Sequence, residues 1–130
     1  MNPSPRIEVA AGIVVRDGLL LITRRPPGTH LAGLWEFPGG KRHVDESWES
    51  CLARELLEEL DTRVQVGRLR YETEHAYPEK TVHLRFFECS VLEGEPRPVE
   101  CAELAWVRPT DLGRYTFPEA DRGLVALLSS

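Results

Sequence analysis

The chain is poor in several features that would place it in a large protein class. Its 130 residues include only three cysteines, Cys51, Cys89 and Cys101, an odd number at no metal-ligand spacing, so neither a disulfide framework nor a cysteine zinc site is expected. No apolar run approaches the length needed to span a bilayer, and no signal-peptide pattern is seen; the expectation is a reduced, cytoplasmic setting without a membrane partner. Positive charge is short as well. Sixteen Lys and Arg against 21 Asp and Glu leave a net charge of −5, which argues against a stable nucleic-acid partner. An anionic ligand would then need metal ions or a few well-placed arginines.

With 42% hydrophobic residues, the chain can bury one core, and a single domain over 1–130 is expected. "IEVAAGIVVRDGLLLITRR" is two apolar runs around Asp17-Gly18, a hairpin signal that predicts strands near 7–15 and 19–24. "PPGTHLAG" reads as a loop, and "LWEF" as a short strand closed by Pro38. The stretch from Thr62 to Pro96 predicts two long strands joined at Pro78-Glu79-Lys80; "ELAWV" is another strand, and the tail reads as a helix entered at Pro118. The order β-β-β-α-β-β-β-α predicts an α/β fold, a mixed sheet between helices.

Residues 48–60 contain neither Gly nor Pro, are rich in Leu, Ala, Arg and Glu, and follow a plausible N-cap, Ser47. On a helical period Leu52, Ala53, Leu56, Leu57 and Leu60 fall on one arc, and Glu55, Glu58 and Glu59 on the opposite side. A solvated helix face with an Arg54 to Glu58 ion pair would be the ordinary explanation. However, Glu55 has two like charges within one turn, and that repulsion calls for compensation. Magnesium or manganese would supply it, because hard cations take oxygen ligands and bridge carboxylates to substrate phosphates.

Gly40, five residues, Glu46, seven residues, Arg54-Glu55, two leucines, then Glu58-Glu59 resembles the Nudix box. "VAAGIVV", "LLLITRRPPGTHLAGLWEFPGGK" and "FPEADRGLV" extend the resemblance to the MutT-like branch, which includes oxidised-guanine nucleotide hydrolases and a CTP pyrophosphohydrolase. The resemblance implies the Nudix fold and a nucleoside triphosphate substrate, hydrolysed by attack of water at the β-phosphorus to a nucleoside monophosphate and pyrophosphate. The sequence departs from the family at the end of the box, where Asp61 and Thr62 stand in place of the usual glycine and aliphatic residue. Asp enters the left-handed region less readily than Gly, so a cost in helix-ending geometry is expected, not a loss of chemistry.

By the same resemblance, Glu55, Glu58 and Glu59 with the carbonyl of Gly40 would hold magnesium, with manganese able to substitute. Arg54 would orient the carboxylates, and Glu46 would support the loop or touch metal. Glu100 matches a distal glutamate that approaches the metals, so Glu100 and Glu55 are rival candidates for general base. Arg25 and His30 match positions near the substrate phosphates and sugar, and Phe37 or Leu34 could line a base pocket.

Asp121 falls where the oxidised-guanine enzyme of the branch has a base-contacting Asn. An amide donates and accepts, whereas an ionised Asp only accepts and suits an amino group such as that of cytosine, unless burial keeps it protonated. By the resemblance, oxidised dGTP (8-oxo-dGTP) is the leading substrate, in the role of nucleotide-pool cleaning, with CTP or a modified pyrimidine nucleotide as the alternative. A non-catalytic nucleotide- or damaged-base-binding module of the same fold is the reading from another class. The intact box carboxylates favour an enzyme, and a monomer or weak homodimer is expected. Trp35, Phe37, Phe86, Phe87 and Trp106 read mainly as core; His75, His83 and the cysteines read as structural.

Overall fold

A computed structural model describes residues 5–130, so the first four positions of the expected domain lie outside the described residues. Strands β1 (Arg6–Arg16) and β2 (Leu19–Arg24) form the predicted hairpin. Its two turn residues, Asp17 (φ 53°) and Gly18 (φ 77°), both adopt the positive φ that a tight, right-twisting hairpin turn demands. After the loop come β3 (Trp35–Glu36), β4 (Gly39–Lys41), α1 (Trp48–Leu60), β5 (Arg63–Tyr77), β6 (Lys80–Glu93) and β7 (Glu103–Val107). The chain ends in 3-10 turns at Pro109–Arg114 and Glu119–Asp121 and in α2 (Arg122–Ser129).

Three expectations are corrected here. β4 is an additional strand, invisible to side-chain patterning because two of its three residues are glycine. The tail helix begins at Arg122, not Pro118, which is extended (φ −60°, ψ 156°); the tight Glu119–Asp121 turn first directs Ala120 and Asp121 inward. On α1 the buried seam is Cys51, Leu52, Leu56 and Leu60, whereas Leu57 rolls outward and is 43% exposed.

β1 is the hub of the mixed sheet. It runs parallel to β6 from Arg6/Thr81 to Val14/Cys89, antiparallel to β4 at Val9–Ala11, and antiparallel to β2 at its end. β5 extends the sheet beyond β6, while β3 and β7 flank β2. Alternation sends Ala10, Val14, Phe87 and Cys89 to the α1 face, and Ala11, Ile13, Leu84 and Phe86 to the α2 face. Two cores result, one on each side of the sheet. Leu52, Leu56 and Leu60 are fully buried in the first, each contributing roughly 1.5–3 kcal/mol relative to exposure.

Both ends of α1 are closed by short-range chemistry. The Ser50 N–H donates to Ser47 Oγ (3.0 Å), and the Asp61 N–H donates to the Leu57 carbonyl (3.1 Å) with Asp61 in the left-handed region (φ 52°, ψ 41°). The helix thus ends as it would with glycine, and the Asp61 carboxylate takes up an ion pair with Arg97 at 3.1 Å. Among the described residues no helix is long and apolar enough to cross a membrane.

Candidate active site

Arg54 organises the carboxylate face of α1. Its Nε and Nη2 donate to the two oxygens of Glu46 (3.0 and 2.7 Å), Nη1 to Glu55 (3.0 Å) and Glu58 (3.3 Å), and Nη2 also to the Lys41 carbonyl (3.2 Å). Glu46 further accepts the His43 backbone N–H at 2.9 Å. Hydrogen bonding to Arg54, and then to that N–H, holds its pKa down at about 2, so Glu46 is a permanently charged brace between loop and helix. Glu55 behaves otherwise: burial lifts its pKa, and Arg54 only partly opposes this.

Gly39 and Gly40 bring the loop against this face. A Cβ on Gly39 would lie 2.0 Å from the Ala10 carbonyl oxygen, and one on Gly40 2.2 Å from the Glu55 carboxyl carbon. β4 can therefore lie beside β1 only because Gly39 has no side chain, and Glu55 can rest over Gly40 as it does because that residue has none either. Glu59, one turn on from Glu55, is raised to about 8 by burial first and then by the charges of Glu36, Glu55 and Glu100. Four carboxylates share one neighbourhood.

Glu100 reaches it on a loop fastened to the end of α1. The N–H groups of Val99 and Glu100 both donate to the Glu59 carbonyl (3.1 Å each), and the Arg97 N–H to that of Leu60 (3.0 Å). These bonds satisfy carbonyls that the helix end leaves open.

On the other side of the glycine pair is a cavity of about 360 Å³, within the usual range for small-ligand sites. Gly40 belongs to its wall, as do Arg25, His30, Phe37 and Asp121, so all four proposed substrate-binding residues meet in one place. The Phe37 ring stacks on Phe117 (5.4 Å, 24°) and meets Phe86 edge-on (5.9 Å), giving a rigid apolar floor. Asp121 is 5% exposed, and its carboxyl makes no hydrogen bond to any other described residue. Burial, reinforced by Glu36 and opposed by Arg25, lifts its pKa to about 7. At the mouth, His30 meets Tyr77 edge-on (5.3 Å), and burial, then Lys80, lowers its pKa.

Glu36 is the residue that the motif reading missed. It lines the cavity and receives Arg25 Nη1 on both oxygens (3.1 Å each), while Arg25 Nε donates to the His30 carbonyl (2.5 Å). Arg25 Nη2 keeps its donors free of other described residues. Burial raises the Glu36 pKa and Arg25 opposes it. A signal was present in the sequence: an arginine and a glutamate bracket the Pro/Gly-rich loop, as a pair that closes it would. His75, read as structural, meets Tyr77 at 4.6 Å and Glu119 at 3.4 Å. His83 joins a surface network with Glu72; none of the cysteines lines the cavity, and Cys51, behind its wall, donates its thiol to the Gly40 carbonyl (3.6 Å).

The donors present fit a hard divalent cation. They are carboxylate oxygens, crowded enough to raise one another's pKa, over a backbone cradle at Gly40 that a Cβ would fill. Among the described residues no three carboxylate, His or Cys side chains are already closed into a cage, since Arg54 engages Glu55 and Glu58.

Comparison with known proteins shows the family of the chain. The NUDIX domain family model matches residues 9–127. The chain is 36% identical to the CTP pyrophosphohydrolase of Escherichia coli (strain K12) over 115 residues, 88% of this chain and 85% of that one. It is 39% identical to a putative 8-oxo-dGTP diphosphatase 2 of Mycobacterium tuberculosis over 124 residues, 93% of this chain and 86% of that one. The crystal structure of a MutT protein from Methanosarcina mazei Go1 superposes with a TM-score of 0.89 at 26% identity, covering 98% of this chain and 96% of that one.

Proposed function

This chain belongs to the Nudix hydrolase family, and from that premise we propose that it is a divalent-metal-dependent nucleoside triphosphate pyrophosphohydrolase that removes 8-oxo-dGTP from the nucleotide pool. One observation carries the substrate reading. Asp121 is a buried carboxyl with no hydrogen bond to another described residue, set in a cavity with an apolar floor that Gly40 and Glu36 join to a cluster of carboxylates. The base would enter the cavity, and the polyphosphate would cross the glycine pair toward α1.

Glu55, Glu58, Glu59 and Glu100, with the Gly40 carbonyl, would hold magnesium, with manganese able to replace it. Bound there, the ion would lower the pKa of a water and offset the charge of the leaving group. The protein's own groups do the rest. Arg54 holds Glu55 and Glu58 by hydrogen bonds, and Glu46 keeps Arg54 in place. Arg25, braced by Glu36, offers Nη2 to the α-phosphate or sugar. Water adds to the β-phosphorus, and the bond from that phosphorus to the oxygen shared with the α-phosphorus breaks. That oxygen leaves on the nucleoside monophosphate, and the water oxygen ends in pyrophosphate. Glu100 takes the proton of the water in this account, because its carboxylate is free of hydrogen bonds to described residues whereas Arg54 holds Glu55.

A pKa near 7 leaves Asp121 both protonated and ionised at neutral pH. The protonated form donates to O6 of an oxidised guanine, which supports the leading substrate. The ionised form accepts from the amino group of cytosine, which supports CTP as the second reading. Relatives named for each substrate are compatible with both.

Hydrolysis in ¹⁸O-labelled water with magnesium, across 8-oxo-dGTP, dGTP, CTP and dCTP, tests the proposal. The expected result is label in pyrophosphate alone, activity lost on chelation, and the largest kcat/KM for 8-oxo-dGTP. Label in the monophosphate, or turnover indifferent to chelation, would refute it.

A further inference from the structure

The structure assigns to Tyr71 a part in base selection, although Tyr71 is not in the cavity wall: we infer that it is the positioning residue for Asp121, acting through Gly123. The inference rests on the reading of Asp121 as the base contact. Tyr71 stands on β5, and its ring packs against Phe86 at 6.0 Å. Phe86 supports Phe37, so one flank of the tyrosine is fixed by the floor of the cavity. Its hydroxyl lies against the backbone of Gly123. A Cβ there would sit 2.0 Å from Tyr71 Oη, 3.0 Å from Cζ and 3.7 Å from Cε2.

Glycine is needed at 123 for space alone. Its φ lies outside the left-handed region, and any other residue would collide with the phenol. Gly123 is in the first turn of α2, two residues after Asp121, and the chain passes from the 3-10 turn into the helix through Arg122 without a break. The Asp121 N–H is fixed in turn by the Pro118 carbonyl at 3.0 Å. Leu124, next along, is fully buried beneath the same turn. Tyr71 is thus wedged between the floor that carries Phe37 and the turn that carries Asp121, and its length sets the distance between them. A purely structural contact would be indifferent to which base is bound, whereas a spacer between two walls of the cavity would not.

The test compares kcat and KM for 8-oxo-dGTP, dGTP and CTP with magnesium in wild type, Gly123→Ala, Tyr71→Leu, Tyr71→Phe, the Gly123→Ala/Tyr71→Phe double variant and Asp121→Asn, each with its melting temperature. Gly123→Ala is expected to cost about tenfold in kcat/KM for the preferred nucleotide, chiefly through KM, and to shrink the ratio between bases. Tyr71→Leu should shrink that ratio in the same direction and carries the test should Gly123→Ala fail to fold. Tyr71→Phe removes the 2.0 Å collision and leaves the 3.0 Å approach to the ring, so the double variant should regain much of the selectivity lost by Gly123→Ala. An equal loss for every nucleotide, or no recovery in the double variant, would overturn the positioning role. Should Asp121→Asn leave the base ratio untouched, the base-contact reading fails and the inference falls with it. A changed ratio in Asp121→Asn beside an unchanged one in Gly123→Ala and Tyr71→Leu would remove the Tyr71 role alone.

Discussion

Glu59 and Asp121 are both pushed toward protonation at neutral pH by burial, yet their surroundings are opposite in kind. Glu59 is lifted further by Glu36, Glu55 and Glu100, three carboxylates with which it shares an edge of the fold. Asp121 has one acidic neighbour, Glu36, opposed by Arg25, and shares its cavity with Phe37 of the phenylalanine stack. Crowded carboxylates are relieved by a cation, and a buried carboxyl without a hydrogen-bond partner by one well-placed hydrogen bond. The two regions are therefore suited to the two ends of one ligand, a polyphosphate and a base. Gly40, whose backbone lies in the cavity wall and directly beneath Glu55, joins them.

Glu59→Gln is the largest expected break on the crowded side. It should lower kcat by roughly 10²–10³ for every nucleotide, while the metal-free melting temperature stays level near pH 7, where burial keeps Glu59 largely protonated, and rises above about pH 8, where the glutamate would be charged. A strong fall in melting temperature would show Glu59 to be structural. The glycine pair gives the next contrast. Gly39→Ala would drive a Cβ into the backbone of Ala10, and a stability loss of about 1–3 kcal/mol or more is expected by thermal melting. Gly40→Ala would instead meet the end of a flexible glutamate, so its loss should fall mainly on magnesium-dependent kcat. Equal stability losses in the two variants would erase the distinction.

A pH titration of stability compares the regions without touching the chemistry. An acid whose pKa rises on folding contributes stability that is complete below its unfolded value and is lost as pH rises through the folded value. For Asp121 and Glu59 those folded values are about 7 and about 8, so the metal-free melting temperature should fall as pH rises from about 5 to 8. Asp121→Asn should flatten part of that slope, and Glu59→Gln a further part. The smallest effect is expected at the end of the box. Asp61→Gly exchanges an exposed ion pair with Arg97 for easier left-handed backbone, and a change within about 0.5 kcal/mol is predicted by denaturant melting.

Much of the fold was legible because local and tertiary signals agreed. Ser47 capped a Gly- and Pro-free stretch, and α1 occupies Trp48–Leu60; Asp17-Gly18 demanded a tight turn, and the hairpin has one. What escaped depended on partners distant in sequence. β4 carries no hydrophobic pattern and exists through its pairing with β1. Leu57 looked like core by period, but the seam through Leu52, Leu56 and Leu60 already fills the contact with the sheet. The box residues stood out because their spacing is local to one loop and helix, whereas Glu36 took on meaning only once Arg25 was seen across the loop. The spacer formed by Tyr71 and Gly123 joins residues 52 positions apart, and no local pattern could disclose it.

The most direct measurement is the ratio of kcat/KM for 8-oxo-dGTP to that for CTP, followed from about pH 5.5 to 8.5 with saturating magnesium in wild type and Asp121→Asn. Asp121 donates when protonated and accepts when ionised, so the wild-type ratio should fall as pH rises through the neighbourhood of 7. The Asp121→Asn ratio should stay flat over the same range. A wild-type ratio independent of pH, or the same slope in both proteins, would contradict the assignment of the cavity to the base and of Asp121 to its recognition.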